Sequence, residues 1–452
     1  MKSFTFVLAF VVALAAVHAN YDYGEALWKS LLFYQAQRSG KLSGMNSLVS
    51  WRKDSALHDR GQNGEDLTGG YYDAGDFVKF GFPMAYTITV LSWSTIDYAD
   101  GYSKIGWLEE ARNAIKWGTD YFIKAHVSKN EFYGQVGIGQ EDHNYWGRPE
   151  DMTESRTAYK IDASHPGSDL AAETAAALAA ASVVFRKAGD TNYANTLLQH
   201  AKDLYNFADT YRGKYSDSIT DAKNFYSSYD YTDELVWGAI WIYRASNDQK
   251  YLTKAEQYYN SFNIQYRTGF GWDDKSLGAT AMLMKLTKGS TYKNVLENFC
   301  NNLVYSQQKT PKGLAFLGEW GSIRNSLNVA YICMQAADEG INSATYRNFA
   351  KSQMDYALGS AGRSYVVGFG SNPPTHEHHR AASCPNAPAA CDWNTFNGGQ
   401  ANYHVLYGAL VGGPDANDNY NDVRNDATHN EVACDYNAAF QGVLAGLKKL
   451  GY

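Results

Sequence analysis

Two acidic clusters near opposite ends of the chain hold the residue types that acid–base chemistry needs. The first is Asp73 and Asp76, in Gly69-Gly70-Tyr71-Tyr72-Asp73-Ala74-Gly75-Asp76-Phe77. The second is Glu431, in Asn430-Glu431-Val432-Ala433-Cys434-Asp435-Tyr436. Two carboxyls three residues apart can face one pocket, where one takes a proton from water and the other orients that water. A third carboxyl, from about 355 residues further along, could return a proton to a leaving oxygen. Such a base and acid are what hydrolysis of a glycosidic bond requires. The scheme needs no metal and no nucleophilic Ser or Cys. Either cluster alone is equally compatible with a solvated turn, since Gly-rich acidic stretches commonly are turns.

The elements that must bring these clusters together are helices. Apolar residues recur at helical spacing over about 21–39, 84–98, 105–126, 167–187, 191–210 and 232–246. The pattern continues over about 248–262, 276–287, 291–306, 323–338, 344–358 and 433–449. Ser168-Asp169 and Ser343 are suitable caps for two of them. No alternating run is long enough for a large sheet. About twelve helices in antiparallel succession can pack as two concentric rings, with loops at one end building a cleft. The long irregular stretches 40–83, 128–166, 210–230 and 360–430 hold or border both acidic clusters. No compositional break or Pro/Thr/Ser-rich linker divides the chain, so one catalytic domain is expected over 20–452, without an appended binding module.

Composition narrows the class. With 45% hydrophobic and 19% charged residues the chain is globular rather than disordered. A formal charge of −7 without a basic stripe argues against nucleic acid as a partner. The 35 Tyr and 11 Trp fit either a well-filled core or a sugar cleft. Lys2, the apolar run Phe4 to Val17 and Val17-His18-Ala19 read as a secretory signal peptide over 1–19. That run is too short to favour a membrane span. The mature protein is therefore expected to be soluble, secreted and free of membrane contact. Five Cys leave at least one thiol unpaired. Cys384 and Cys391 could close a small disulfide, while Cys300 and Cys333 read as buried thiols in helical patterns.

Three further clusters bear on function. Ser364 to Arg380 ends in Thr375-His376-Glu377-His378-His379-Arg380; the spacing is not HExxH, which disfavours zinc. His378 and Arg380 can instead donate to sugar hydroxyls or to a carboxylate, or simply tie the loop. Asp415, Asp418, Asp422 and Asp426 do not fit an EF-hand. Asp422 is a candidate partner for Arg380 or Arg424. Tyr229-Asp230-Tyr231-Thr232-Asp233-Glu234 places three carboxylates before a helix, and Asp273 and Asp274 could complete a hard-cation site. The alternative there is charge complementing the helix dipole.

Together these motifs resemble glycoside hydrolase family 9, most of all the secreted endoglucanases of invertebrates. GGYYDAGDFVKFGFPMAYT, residues 69–87, is similar to the family's catalytic-base segment. Residues 364–380 resemble its His-x-Arg signature, and 420–438 its catalytic-acid signature. The resemblance implies an all-α (α/α)6 barrel and inverting hydrolysis of β-1,4-glucosidic bonds in cellulose, by a protein expected to act as a monomer. It implies Asp76 as base, Asp73 as holder of the water and Glu431 as acid. It implies His378, Arg380, Tyr436, His126, Trp272, Trp320 and Arg324 as substrate-binding residues. A structural calcium ion is implied at Asp230, Asp233, Glu234 and Asp273, with no organic cofactor. Three departures stand out: Ala427 where an aromatic is usual, Val432 where plant members often have Pro, and Tyr229-Asp230 in place of a Ser-Gly pair. The competing readings are a carbohydrate-binding protein without catalysis and a helical-barrel enzyme acting on chitin, xylan or mixed-linkage glucan.

Overall fold

Helices that line the centre of a double-ringed barrel meet protein on every face, so they must be apolar or small all round. Six segments satisfy this. The computed structural model describes residues 21–452; the signal peptide expected over 1–19 lies outside the described residues. The inner helices are α2 (Gly81–Asp97), α4 (Ser168–Lys187), α6 (Thr232–Ser246), α8 (Ser276–Thr287), α10 (Ser322–Asp338) and α12 (Cys434–Leu450). Each touches the next, and α12 closes back on α2. The outer helices are α1 (Tyr23–Ala36), α3 (Leu108–Ala125), α5 (Thr191–Thr210), α7 (Gln249–Ser261), α9 (Ser290–Tyr305) and α11 (Ser343–Asp355). They back α12, α2, α4, α6, α8 and α10 respectively. This is an (α/α)6 barrel, and every helical pattern in the sequence corresponds to one of its helices.

The difference between the rings is written in the side chains. In α4, every residue from Ser168 to Ser182 is buried, and its alanines let neighbouring helices approach closely. This helix is long and apolar enough to cross a membrane, yet it is enclosed by protein. In α5 the buried positions are Ala194, Leu197, Ala201, Leu204, Tyr205, Phe207 and Ala208, a single stripe. Gly238 in α6 marks one close approach: a Cβ there would lie 2.9 Å from the Tyr205 ring and 3.0 Å from the Ala172 carbonyl. Trp93, Trp237 and Trp241 interlock edge to face at 5.5–6.2 Å in the core. Truncating any of them would cost about 3–5 kcal/mol.

A three-stranded antiparallel sheet, β1 (Lys79–Phe80), β2 (Phe132–Val136) and β3 (Ala158–Ile161), braces the segment after Asp76. Asp59, fully buried, pins the same segment from below. It pairs with Lys79 Nζ at 2.7 Å and Arg156 Nε at 3.0 Å, while Arg156 Nη1 donates to the Phe77 carbonyl at 2.7 Å.

Two sequence expectations are corrected. Cys300 on α9 and Cys333 on α10 form a disulfide rather than two thiols. Their helical settings concealed a pairing that exists only because these helices adjoin. Cys384–Cys391 is the second disulfide, and Cys434 is free and buried. Ser168 and Ser343 open their helices but do not cap them; Gly167 and Asn342 hold the cap positions.

Candidate active site

The loop carrying Asp73 and Asp76 is shaped by contact with the His-rich segment. A Cβ at Gly75 would lie 2.2 Å from the His378 carbonyl, so only glycine lets the two backbones meet. Arg380 N donates to Gly75 O at 3.2 Å. The acid segment joins from the other side. His378 and Glu431 face each other in a parallel bridge, with His378 N donating to Asn430 O at 2.8 Å. Cys434 N donates to Asp73 O at 2.9 Å. Three distant pieces of chain are thus knotted by backbone hydrogen bonds around one point.

The three carboxyls there differ in their surroundings. Asp76 is buried, and its two oxygens accept from Ala74 N at 3.0 Å and Val78 N at 3.1 Å. Burial, then Asp142, push its proton affinity up, while His143 and Arg380 pull it down. Asp73 has fewer helpers: Tyr226 donates to Oδ2 at 2.5 Å and Oδ1 is buried without a partner. Burial and the charge of Asp76 hold the Asp73 carboxyl well above the usual range. The better-compensated Asp76 is therefore the first of the two to ionise. Glu431 Oε2 accepts from Trp320 Nε1 at 2.9 Å and Tyr436 Oη at 3.3 Å. Burial raises its pKa to about 7, with Trp320 opposing and Asp76 and Asp435 adding to the rise. The site therefore sets two coupled aspartic carboxyls, of which Asp76 is the better compensated, against a glutamic carboxyl that keeps its proton into the neutral range.

Other expected residues surround this centre. His378 Nδ1 donates to the Arg424 carbonyl at 2.7 Å, leaving Nε2 as the second ring nitrogen; burial lowers its pKa to about 4, so the ring is neutral. Arg380 Nη1 pairs with Asp142 Oδ2, and Asp142 Oδ1 accepts from Phe77 N at 2.9 Å. Arg324 pairs with Asp435 at 2.7 Å and lies 4.8 Å over the Tyr436 ring. Trp272 packs edge-on against Tyr226 at 4.9 Å. Trp320 is 52% exposed, its ring half free.

His126 is misplaced by the sequence reading. It ends α3 in the outer ring, with Nδ1 2.8 Å from Nδ1 of His200 on α5. The histidine beside Asp76 is His143, whose ring rests 4.8 Å from Phe225. It lies inside the long polar stretch 128–166, which was the available signal; Tyr226 was hidden among many tyrosines. Asp422 pairs with neither Arg380 nor Arg424. It accepts from Thr375 N at 2.9 Å and His376 N at 3.0 Å, while Arg424 donates to carbonyls.

The expected calcium ligands divide. Asp233 and Glu234 are fully buried, and Asp233 Oδ1 and Glu234 Oε2 have no hydrogen-bond partner. Asp273 Oδ1 accepts from Tyr229 N at 3.0 Å. Asp233 Oδ1 nevertheless faces Arg267 Nη1 at 3.6 Å, so Glu234 Oε2 is the orphaned hard oxygen that suits a hard cation. Asp230 does not fit: its Oδ2 is held by Arg267 Nη2 and Thr232 Oγ1, both at 2.5 Å. Among the described residues no three acidic, His or Cys side chains converge as a ready cage, and Lys275 Nζ lies 3.1 Å from Glu234 Oε1.

Comparison with known proteins agrees with this geometry. The profile of Glycosyl hydrolase family 9 matches residues 23–444. The fold superposes on the endoglucanase structure from the termite Nasutitermes takasagoensis with a TM-score of 0.94 and 62% identity, covering 96% of this chain and 100% of that one. Endoglucanase CelQ from Clostridium thermocellum, solved with cellotriose, superposes with a TM-score of 0.83 and 36% identity over 95% of this chain and 71% of that one. Endoglucanase B of Cellulomonas fimi is 47% identical over 96% of this chain; the match spans 42% of that protein's length.

Proposed function

The chain belongs to glycosyl hydrolase family 9, and from that premise we propose that it is a secreted endoglucanase that cleaves internal β-1,4-glucosidic bonds of cellulose with inversion. The observation that carries this reading is that the backbone bonds of His378, Arg380 and Cys434 bring Glu431 and the Asp73–Asp76 pair into one buried site, where burial keeps the proton on Glu431 into the neutral range. Glu431 gives its proton to the glycosidic oxygen as the C–O bond breaks. Asp76 takes one proton from the water that attacks the anomeric carbon from the opposite face. Asp73 Oδ1, which has no protein partner, holds that water, while Tyr226 fixes Oδ2. One proton enters the pair of carboxyls and one leaves, so the resting charge is exchanged between them and restored by solvent. A single displacement of this kind inverts the configuration.

His378, Arg380, Arg324, Trp272, Trp320 and Tyr436 bind and orient the glucan around this centre. Arg380 and Arg324 act mainly by holding Asp142 and Asp435. A calcium ion would be held by Asp233, Glu234 and Asp273 once these side chains close on it, and would supply charge compensation for the buried carboxylates of Asp233 and Glu234. Secretion is supported by the leader-like residues 1–19. The test is NMR of fresh product from cellopentaose: α-anomer should appear first, and initial release of β-anomer would exclude inversion. The Glu431→Gln variant should lose activity on the same substrate.

A further inference from the structure

The segments 139–148 and 378–397, which bring His143, His378 and Arg380 to the site, also carry an aromatic cluster that the acid–base scheme does not use. Trp146 is buried at its centre. It lies 5.4 Å from the His378 ring, 4.6 Å from Phe396 and 5.8 Å from Trp393, with the Arg380 guanidinium 5.7 Å over its face. Its indole N–H donates to Ser383 Oγ at 3.0 Å. Trp393 is the outermost member and is 42% exposed.

An exposed indole on a mobile loop would be unremarkable, but this one is held from several directions. Its Nε1 donates to the Asn144 carbonyl at 3.3 Å, and Phe396 backs it edge-on at 5.2 Å. The short helix Trp393–Asn397 is capped by Asp392, which accepts from Asn394 N at 2.8 Å. Buried Arg424 donates to the carbonyls of Thr395 at 2.8 Å and Phe396 at 3.2 Å. Upstream, the Cys384–Cys391 disulfide closes the preceding loop, and Arg148 donates to the carbonyls of Pro385 and Ala389. The whole arrangement fixes a half-exposed aromatic face beside the site, in contact through Trp146 with His378, the bridge partner of Glu431.

We propose that Trp393 is a stacking platform for a glucosyl ring remote from the scissile bond, extending the cleft beyond Trp146. This rests on the endoglucanase reading above. A β-1,4-linked glucosyl unit has equatorial hydroxyls at its edge and C–H groups on both faces. The negative face of an indole attracts those C–H groups, and the fixed ring binds them without losing rotamer freedom. A contact that far from the reacting carbon is made equally in ground and transition states, so it lowers KM and leaves kcat unchanged.

The experiment compares cellotetraose with cellohexaose as substrates of the whole protein. Trp393→Ala should raise KM for cellohexaose about 5–10-fold and leave kcat near wild type. The effect on cellotetraose should be clearly smaller, and Trp393→Phe should restore most of the loss. The pair Cys384→Ser/Cys391→Ser, which frees the loop but keeps the indole, should raise the cellohexaose KM by a smaller factor. Unchanged KM on both substrates in Trp393→Ala, or an equal loss on both, overturns the proposal. If Trp393→Ala does not fold, an unchanged cellohexaose KM in the disulfide variant overturns it. A wild-type protein that cleaves neither oligosaccharide defeats the endoglucanase reading itself, which is a separate outcome.

Discussion

The indole N–H of Trp320 donates to Glu431 Oε2 at 2.9 Å, so a half-exposed ring holds the carboxyl proposed as the acid, whose proton affinity burial has raised. That bond favours the ionised form and works against burial. Activity should therefore hold below the Glu431 pKa of about 7 and fall as pH rises through it. Replacing Trp320 with Phe removes the donor and should move this alkaline limb to higher pH. A kcat–pH profile checks it; a limb that stays in place, or moves down, shows that the bond does not tune the acid.

Removing a carboxyl from the pair at the base loop should be costly in either position. Asp76→Ala and Asp73→Ala are each expected to lower kcat by about 10²–10⁴-fold while the melting temperature changes little or rises. The rise is possible because both carboxyls are buried with raised pKa values. Tyr226→Phe, which leaves Asp73 without its donor, should cause a smaller loss. Steady-state kinetics on a soluble β-glucan, alongside thermal melts, separates these effects; near-normal turnover in Asp76→Ala would reassign the base.

Asp59 is a buried support. Burial would raise its pKa, yet Lys79 and Arg156 overcome that and hold it below the ordinary value. Asp59→Ala strands Lys79 in a fully buried site, and a loss of about 3–5 kcal/mol in unfolding free energy is expected. Adding Lys79→Met should recover part of that loss. Denaturant titration of both variants tests the pairing, and equal stability of the single and double variants would contradict it.

Glu377 gives a stability signature distinct from the active site. Both of its oxygens are buried without a hydrogen bond, and burial raises its pKa to about 7. The folded state thus binds its proton more tightly than the unfolded chain does. The stabilising contribution is complete below about pH 4.5 and is lost as pH rises through about 7. Glu377→Gln removes this dependence. Its advantage over wild type should grow from pH 5 to pH 8, reaching about 3 kcal/mol. Parallel melting curves against pH would reveal a wrong sign at once.

Calcium removal should affect stability more than rate. The carboxylates of Asp233, Glu234 and Asp273 lie at the start of α6 and before α8, on residues separate from the three carboxyls of the proposed acid–base centre. An ion that binds only the folded state stabilises it by mass action. EGTA should therefore lower the melting temperature, and calcium should restore it, with initial rates at low temperature nearly unchanged. Asp230→Asn should leave the calcium effect intact, because Asp230 is engaged by Arg267.

Much of this was legible in the sequence because it is local. Helical periodicity over twelve segments, all-round apolarity in α4 against a single stripe in α5, and the residue types at Asp73, Asp76 and Glu431 depend only on neighbours along the chain. Ring closure, and with it the meeting of the two acidic clusters, depends on α12 packing against α2, and periodicity alone does not select a partner helix. The same limit explains the misassigned His126, the Cys300–Cys333 disulfide and the diversion of Asp230 to Arg267: each is decided by which residue of a distant segment arrives beside it. Proton affinities follow the same rule. The sequence names a glutamate at 431, but only burial and the approach of Trp320, Asp76 and Asp435 make it an acid that keeps its proton near neutrality.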